Sequence, residues 1–259
     1  MLLDRLFLAL ARGLPAFLSI IGLIAVWELY VAVSGISPLV LPPPSRVAHE
    51  IIDNWPVLWA NTKPTLQATL LGFMCSVSAA FAISLLIDFV PSIRRAVFPV
   101  LVISQTLPLV AIAPLVVLWF GFGLLPKILL VALVTFFPML IALVDGYAST
   151  EPEIEALLKS MGASRSSIFR KVRFPSALPY FFAGLRISIT YAVVAAIFAE
   201  YAGARAGLGI FILNAKNNFR PDLVLAAVAV SSMLTLCLFG GAALAQHIVL
   251  RWRSAGAQS

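Results

Sequence analysis

Long apolar runs alternate with short polar breaks along this chain, and the length of each run sets the element it forms. Six runs approach the roughly 20 residues that a helix needs to cross the hydrocarbon core of a bilayer. They predict spans at Leu14 to Val33, Thr65 to Ile87, Val97 to Phe120, Ile128 to Tyr147, Phe181 to Tyr201 and Leu223 to Leu250. No ten-residue segment alternates strongly enough to suggest a β-barrel, so the expected fold is an all-α integral membrane protein, a single domain over residues 1–259. Early arginines precede the first run as in a signal peptide. No small-residue cleavage site follows, and the run continues to Val33, which predicts a retained helix.

The breaks carry their own signals. LPPPS at residues 41–45 imposes extended backbone and predicts a short helix led by Ser45 in an outside loop. Within the third run, Pro99, Pro108 and Pro114 each free a carbonyl that lipid cannot satisfy, so that helix must be shielded or face a water-filled cavity. Gln105 and Thr106 lie beside these prolines and are candidates for a polar path, as are Glu200 and Tyr201 at the outer end of the fifth span. Arg186 is read as snorkelling at the inner membrane edge.

The longest break lies between the fourth and fifth runs, at residues 148–180. Thr150 and Glu153 match a capping box, and Pro152 suits a first helical turn. Ile154, Leu157, Leu158 and Met161 recur at helical spacing to give one apolar face, and Gly162 can end that helix in the left-handed conformation. Ser164 can cap a second short helix carrying Ile168, Phe169 and Val172, with Arg165, Arg170, Lys171 and Arg173 on other faces; Pro175 and Pro179 are expected to terminate it. Neither helix is long enough to cross the membrane. Periodicity leaves two readings open: a pair of interfacial helices on lipid headgroups, or a docking element for a soluble partner.

Composition agrees with the pattern. The 259 residues are 61% hydrophobic and 11% charged, with mean hydropathy +1.03. Net charge is +7. In a membrane protein such an excess fixes topology rather than marking a nucleic-acid partner. With the N-terminus inside, eleven of the 18 basic residues are cytoplasmic, six are outside, and Arg186 lies within a span, so both termini are expected in the cytoplasm. Cys75 and Cys237 sit in apolar runs and read as buried free thiols. None of the five lysines follows a glycine, which excludes a G-x-x-x-x-G-K-[ST] phosphate loop, and His49 and His247 have no ligand-spaced companions. The chain is therefore expected to be no enzyme and to hold no cofactor or metal.

GASRSSIFRKVRFPSALP, from Gly162, resembles the EAA loop of permease subunits in bacterial ABC importers, in which a proline follows the glycine by thirteen residues, as Pro175 follows Gly162. The resemblance extends to AGLRIS at 183–188, AEYAGARAGLG at 199–209 and PLVAIAPLVVLWFGFG upstream. It implies a permease of the type I importer fold in the inner membrane, with the loop as the coupling helix that sits in a cleft of a separate ATP-binding subunit. Leu157, Leu158, Met161, Gly162, Ala163, Ser164, Phe169 and Pro175 are the residues to which that role carries. One departure is plain: the family's acid precedes the glycine by six positions, whereas Glu155 precedes Gly162 by seven. The implied partners are ATPase subunits, a solute-binding protein outside, a second permease copy and membrane lipid. The implied cargo is small, a sulfonate or a pyrimidine precursor, with FPSALPYFFAGLRIS leaning toward the pyrimidine. An ion-coupled secondary transporter is the alternative. It would need an internal repeat and a relay of intramembrane acids, and no repeat is visible.

Overall fold

The structure, a computed structural model, describes residues 2–90, 93, 95, 96, 99, 100, 103 and 108–251, with side chains described from residue 14 onward except residue 16. Among these residues every regular element is helical. The helices are α1 (Leu2–Ser34), α2 (Pro44–Asp53), α3 (Trp55–Phe89), α4 (Leu109–Phe120), α5 (Leu124–Ala148), α6 (Pro152–Ser160), α7 (Arg165–Ile168), α8 (Phe174–Gly203), α9 (Leu208–Asn217) and α10 (Pro221–Val249). A π-helical turn, Phe169–Arg173, joins α7 to α8.

Among the described residues, five helical stretches are long and apolar enough to span a membrane: Phe17–Ser34, Trp55–Phe89, Leu124–Ala148, Arg165–Gly203 and Pro221–Val249. Of the third expected span, Val97 to Phe120, most of residues 97–107 lie outside the described residues. Its continuous described helix is the 12-residue α4, about 18 Å long at 1.5 Å per residue. Pro108 is the reason it begins there, since it occupies the N-cap in extended conformation and cannot continue a helical hydrogen-bond ladder.

Two compact units divide the chain. One comprises Met1–Trp59 with Phe211–Ala229, the other Ala60–Ile210 with Val230–Ser259. In the first, Pro43 is the N-cap of α2 and Pro44 begins it, one residue before the expected Ser45. Ser45 instead donates from its hydroxyl and its backbone N–H to the Glu28 carboxylate, at 2.7 and 3.0 Å. Asp222, buried, accepts from Arg46 and Arg220 at 2.8 and 2.9 Å, and Arg220 also reaches Glu50 at 2.8 Å.

The second unit is built on α5 packed along α8. Ala80 and Ile87 of α3 join Met139, Leu140, Leu143, Val144 and Tyr147 of α5 and Ala177 of α8 in one core cluster. Small residues allow the close approach. A Cβ at Gly184 would lie 2.4 Å from the Ala142 Cβ, which only glycine avoids. Arg186 does not snorkel freely: it donates to Gln246 and lies 6.0 Å above the Phe239 ring. Cys75 and Cys237 are free but exposed rather than buried, because the apolar faces that carry them point outward instead of into the core.

Candidate functional site

The loop over 148–180 is built from its prolines and glycine outward. The expected capping box does not form: Glu151, not Thr150, is the N-cap of α6, and the Thr150 hydroxyl is buried without a partner among the described residues. A residue before proline is driven into extended backbone, so Glu151 (ψ 124°) cannot enter the helix and Pro152 becomes its first residue. At the other end, Ala163 N–H donates to Leu158 C=O and Gly162 N–H to Lys159 C=O, the paired bonds of a Schellman motif. Gly162 at φ +82° supplies the left-handed residue this closure needs. Ser164 then caps α7 as expected, its hydroxyl oxygen accepting from Ser167 N–H at 3.2 Å.

Pro175 and Pro179 do not end the second helix. The π turn shifts the ladder so that Phe174 N–H donates to Phe169 C=O, five residues back, and α8 starts with Pro175 in its first turn, where a missing N–H leaves no broken bond.

The structure separates the expected coupling residues into two groups. Leu157 and Met161 are 61% and 73% exposed, and with the exposed Gly162 and Ser164 they form an open face. Leu158 and Ala163 are half-buried beside them. Phe169 turns inward, with its ring 5.3 Å from Tyr147 and 5.6 Å from Phe89, and Pro175 is half-buried. Behind this face runs an ion network. Arg173 holds Asp88 at 2.9 Å and lies 3.0 Å from Glu155, although its Nε–H does not point at the oxygen, and Lys159 is 3.7 Å from the other Glu155 oxygen. Glu155 thus ties α6 to the π turn. Its displaced position in sequence acquires a structural meaning, which its long-range partner Arg173 reveals.

At the far end of α8, Glu200 is completely buried. Its carboxylate accepts from Lys127 Nζ at 3.2 Å and Gly209 N–H at 2.8 Å, and the Thr65 hydroxyl lies 3.0 Å from both oxygens. Lys127 also donates to Ala206 C=O, and Gly207 N–H donates to Asn61. A side chain at Gly207 would overlap this carboxylate, its Cβ only 2.1 Å from Cδ. A carboxylate at the first turn of α9 also meets the positive end of that helix. Tyr201, beside it, is 38% exposed and packs edge-on against Phe198. Gln105 and Thr106 lie outside the described residues. Lys127, reckoned only as an outside basic residue in the sequence, is the missed member of this cluster. Its place at the start of an apolar run was the one available signal.

Comparison with known proteins adds the decisive observation. Residues 68–254 match the model of the family described as binding-protein-dependent transport system inner membrane component. The chain belongs to this family. The formylaminopyrimidine transport permease protein ThiX of Halalkalibacterium halodurans is 35% identical over 243 residues, covering 93% of this chain and 97% of its own. The riboflavin transport system permease protein RibX of Chloroflexus aurantiacus is 35% identical over 94% of this chain and 91% of its own. The taurine transport system permease protein TauC of Escherichia coli is 29% identical over 89% and 86%. In fold, the chain is similar to an inward-facing MetNI methionine ABC transporter, with TM-score 0.66 and 16% identity over 74% of this chain and 96% of that one. A bacterial alginate importer superposes over 95% and 99% with TM-score 0.58 at 16% identity. The chain is thus a multi-pass permease subunit of an ABC importer, and membership in this family sets aside the ion-coupled alternative.

Proposed function

We propose that this permease moves a small solute inward across the bacterial inner membrane as one of two identical copies, with both termini in the cytoplasm. The solute is delivered by a binding protein outside, and ATP is hydrolysed by separate subunits. Closure of those subunits moves residues 148–180, whose contact surface is Leu157, Leu158, Met161, Gly162, Ala163 and Ser164, with Phe169 and Pro175 passing the movement inward. The cargo is a pyrimidine precursor or a sulfonate, in line with the relatives whose names specify such solutes. Tyr201, Gln105 and Thr106 are path residues, and Glu200 holds the turn behind Tyr201.

One observation carries the coupling assignment: an exposed apolar face on a short helix that ends at a left-handed glycine, outside any span. Gly162→Val tests it. A β-branched residue at φ +82° is strained by about 1–3 kcal/mol, and nothing lies within 4 Å of its Cβ, so the damage stays local. In proteoliposomes containing the whole importer, the variant should insert and assemble normally but hydrolyse ATP without uptake. Normal uptake would refute the coupling role.

A further inference from the structure

Beside the Glu200–Lys127 pair opens a pocket of about 370 Å³, within the range of small-molecule sites. Gln67 of α3, Lys127 in the first turn of α5 and Arg205 in the turn between α8 and α9 line it together, with the Phe122 side chain as an apolar wall. That wall is held by close approach: a Cβ at Gly203 would lie 2.6 Å from the Phe122 ring. None of the described residues lining the pocket is acidic.

Most of the donors in this pocket are unused. An ammonium has three N–H donors, and Lys127 directs two of them to Glu200 and the Ala206 carbonyl. The Arg205 guanidinium and the Gln67 amide are exposed and make no hydrogen bond or ion pair among the described residues. Glu200 offsets the Lys127 charge, so Arg205 leaves the pocket with one net positive charge. Apolar surface continues from the same place. Gln67, Leu70, Leu71 and Met74 recur at helical spacing on one exposed face of α3, whereas Thr65, Thr69 and Ser76 are buried on the opposite face. The exposed strip runs roughly 10 Å from the pocket into the span. Trp119, Phe120 and Phe122 are all exposed, and such rings mark the level at which headgroups border a membrane helix.

We propose that this pocket binds the phosphodiester headgroup of a membrane phospholipid, with an acyl chain lying along Leu70, Leu71 and Met74 of α3. Arg205 pairs with the phosphate through charge-assisted hydrogen bonds, and Gln67 and Lys127 donate to its other oxygens. The single negative charge of a phosphodiester matches the net charge of the pocket. A soluble anion would use the donors and leave the apolar strip bare. An apolar protein face would cover the strip and leave Arg205 and Gln67 unanswered. Only the leaflet rests on the topology proposed above, which puts the pocket on the outer side; there the lipid braces the turn between α8 and α9 against α3 and α5.

The test uses the complete importer in detergent, stripped of lipid and titrated separately with dioleoyl phosphatidylglycerol, with dioleoylglycerol, which lacks the phosphate, and with glycerol 3-phosphate, which lacks the chains. Phosphatidylglycerol is expected to be retained and to raise the unfolding temperature, and the other two are not. Arg205→Gln and Gln67→Leu should each weaken that retention, measured by native mass spectrometry, by about tenfold, while ATPase copurification stays unchanged and Arg205→Lys retains more lipid than Arg205→Gln. Retention equal to the wild type in both Arg205→Gln and Gln67→Leu overturns the site. Equal stabilisation by glycerol 3-phosphate overturns the lipid as occupant, and equal stabilisation by dioleoylglycerol overturns the phosphate contact. A disulfide between two copies carrying Met74→Cys in a Cys75→Ser, Cys237→Ser background also overturns the proposal, because the strip would then face the second copy. Lipid retention is read without solute uptake, so failure of the coupling or cargo assignment leaves this result standing.

Discussion

Glu200 shows how a single side chain can organise an end of a membrane helix. Buried completely, it is answered by an ammonium, a backbone N–H and a hydroxyl drawn from α3, α5 and α9. Removing one partner leaves an uncompensated charge, so Lys127→Met should cost about 3–5 kcal/mol. That loss would be read as a lower unfolding temperature in detergent. Pairing it with Glu200→Gln should recover much of the loss, because both charges then leave together. The charge at Glu200 was legible as an oddity within an apolar run. Its partner 73 positions earlier was not, since no local periodicity links residues so far apart.

Among elements, local rules succeeded where the backbone decides and failed where two rules compete. Gly162 and Ser164 act as their residue types dictate, one closing α6 and the other capping α7. Thr150 lost the N-cap because the constraint before Pro152 outranks a side-chain hydrogen bond. Pro175 was read as a stop, yet a π turn absorbed it. The pairing of α5 with α8 rests on small residues, and Gly184→Leu should overpack it by about 1–3 kcal/mol or more, seen as lost yield of folded permease and faster proteolysis. Arg173→Ala should loosen the loop more than Glu155→Ala. The first frees the nearly buried Asp88 as well as Glu155, whereas the second leaves the Arg173–Asp88 pair intact. Hydrogen exchange over residues 152–173 would rank the two.

For the molecule as a whole, run length alone identified a helical membrane protein, and the bilayer explains why: only a helix or a closed barrel satisfies its backbone there. Of the third run, the described helix is the 12-residue stretch that follows Pro108. The bounds of the two compact units fall inside α3, α9 and α10 rather than at linkers. The two-copy proposal predicts that a tagged permease coexpressed with an untagged one recovers both from membranes. The π turn has a further consequence. On its N-terminal side the loop begins at a break, Ser149 to Glu151, whereas on its C-terminal side α7 runs through the turn into α8 without interruption. Such an arm is hinged at one end and welded at the other. A displacement of α7 is then a torque on α8, and two glycines inserted between Arg173 and Phe174 should disengage the stroke while leaving ATP turnover running.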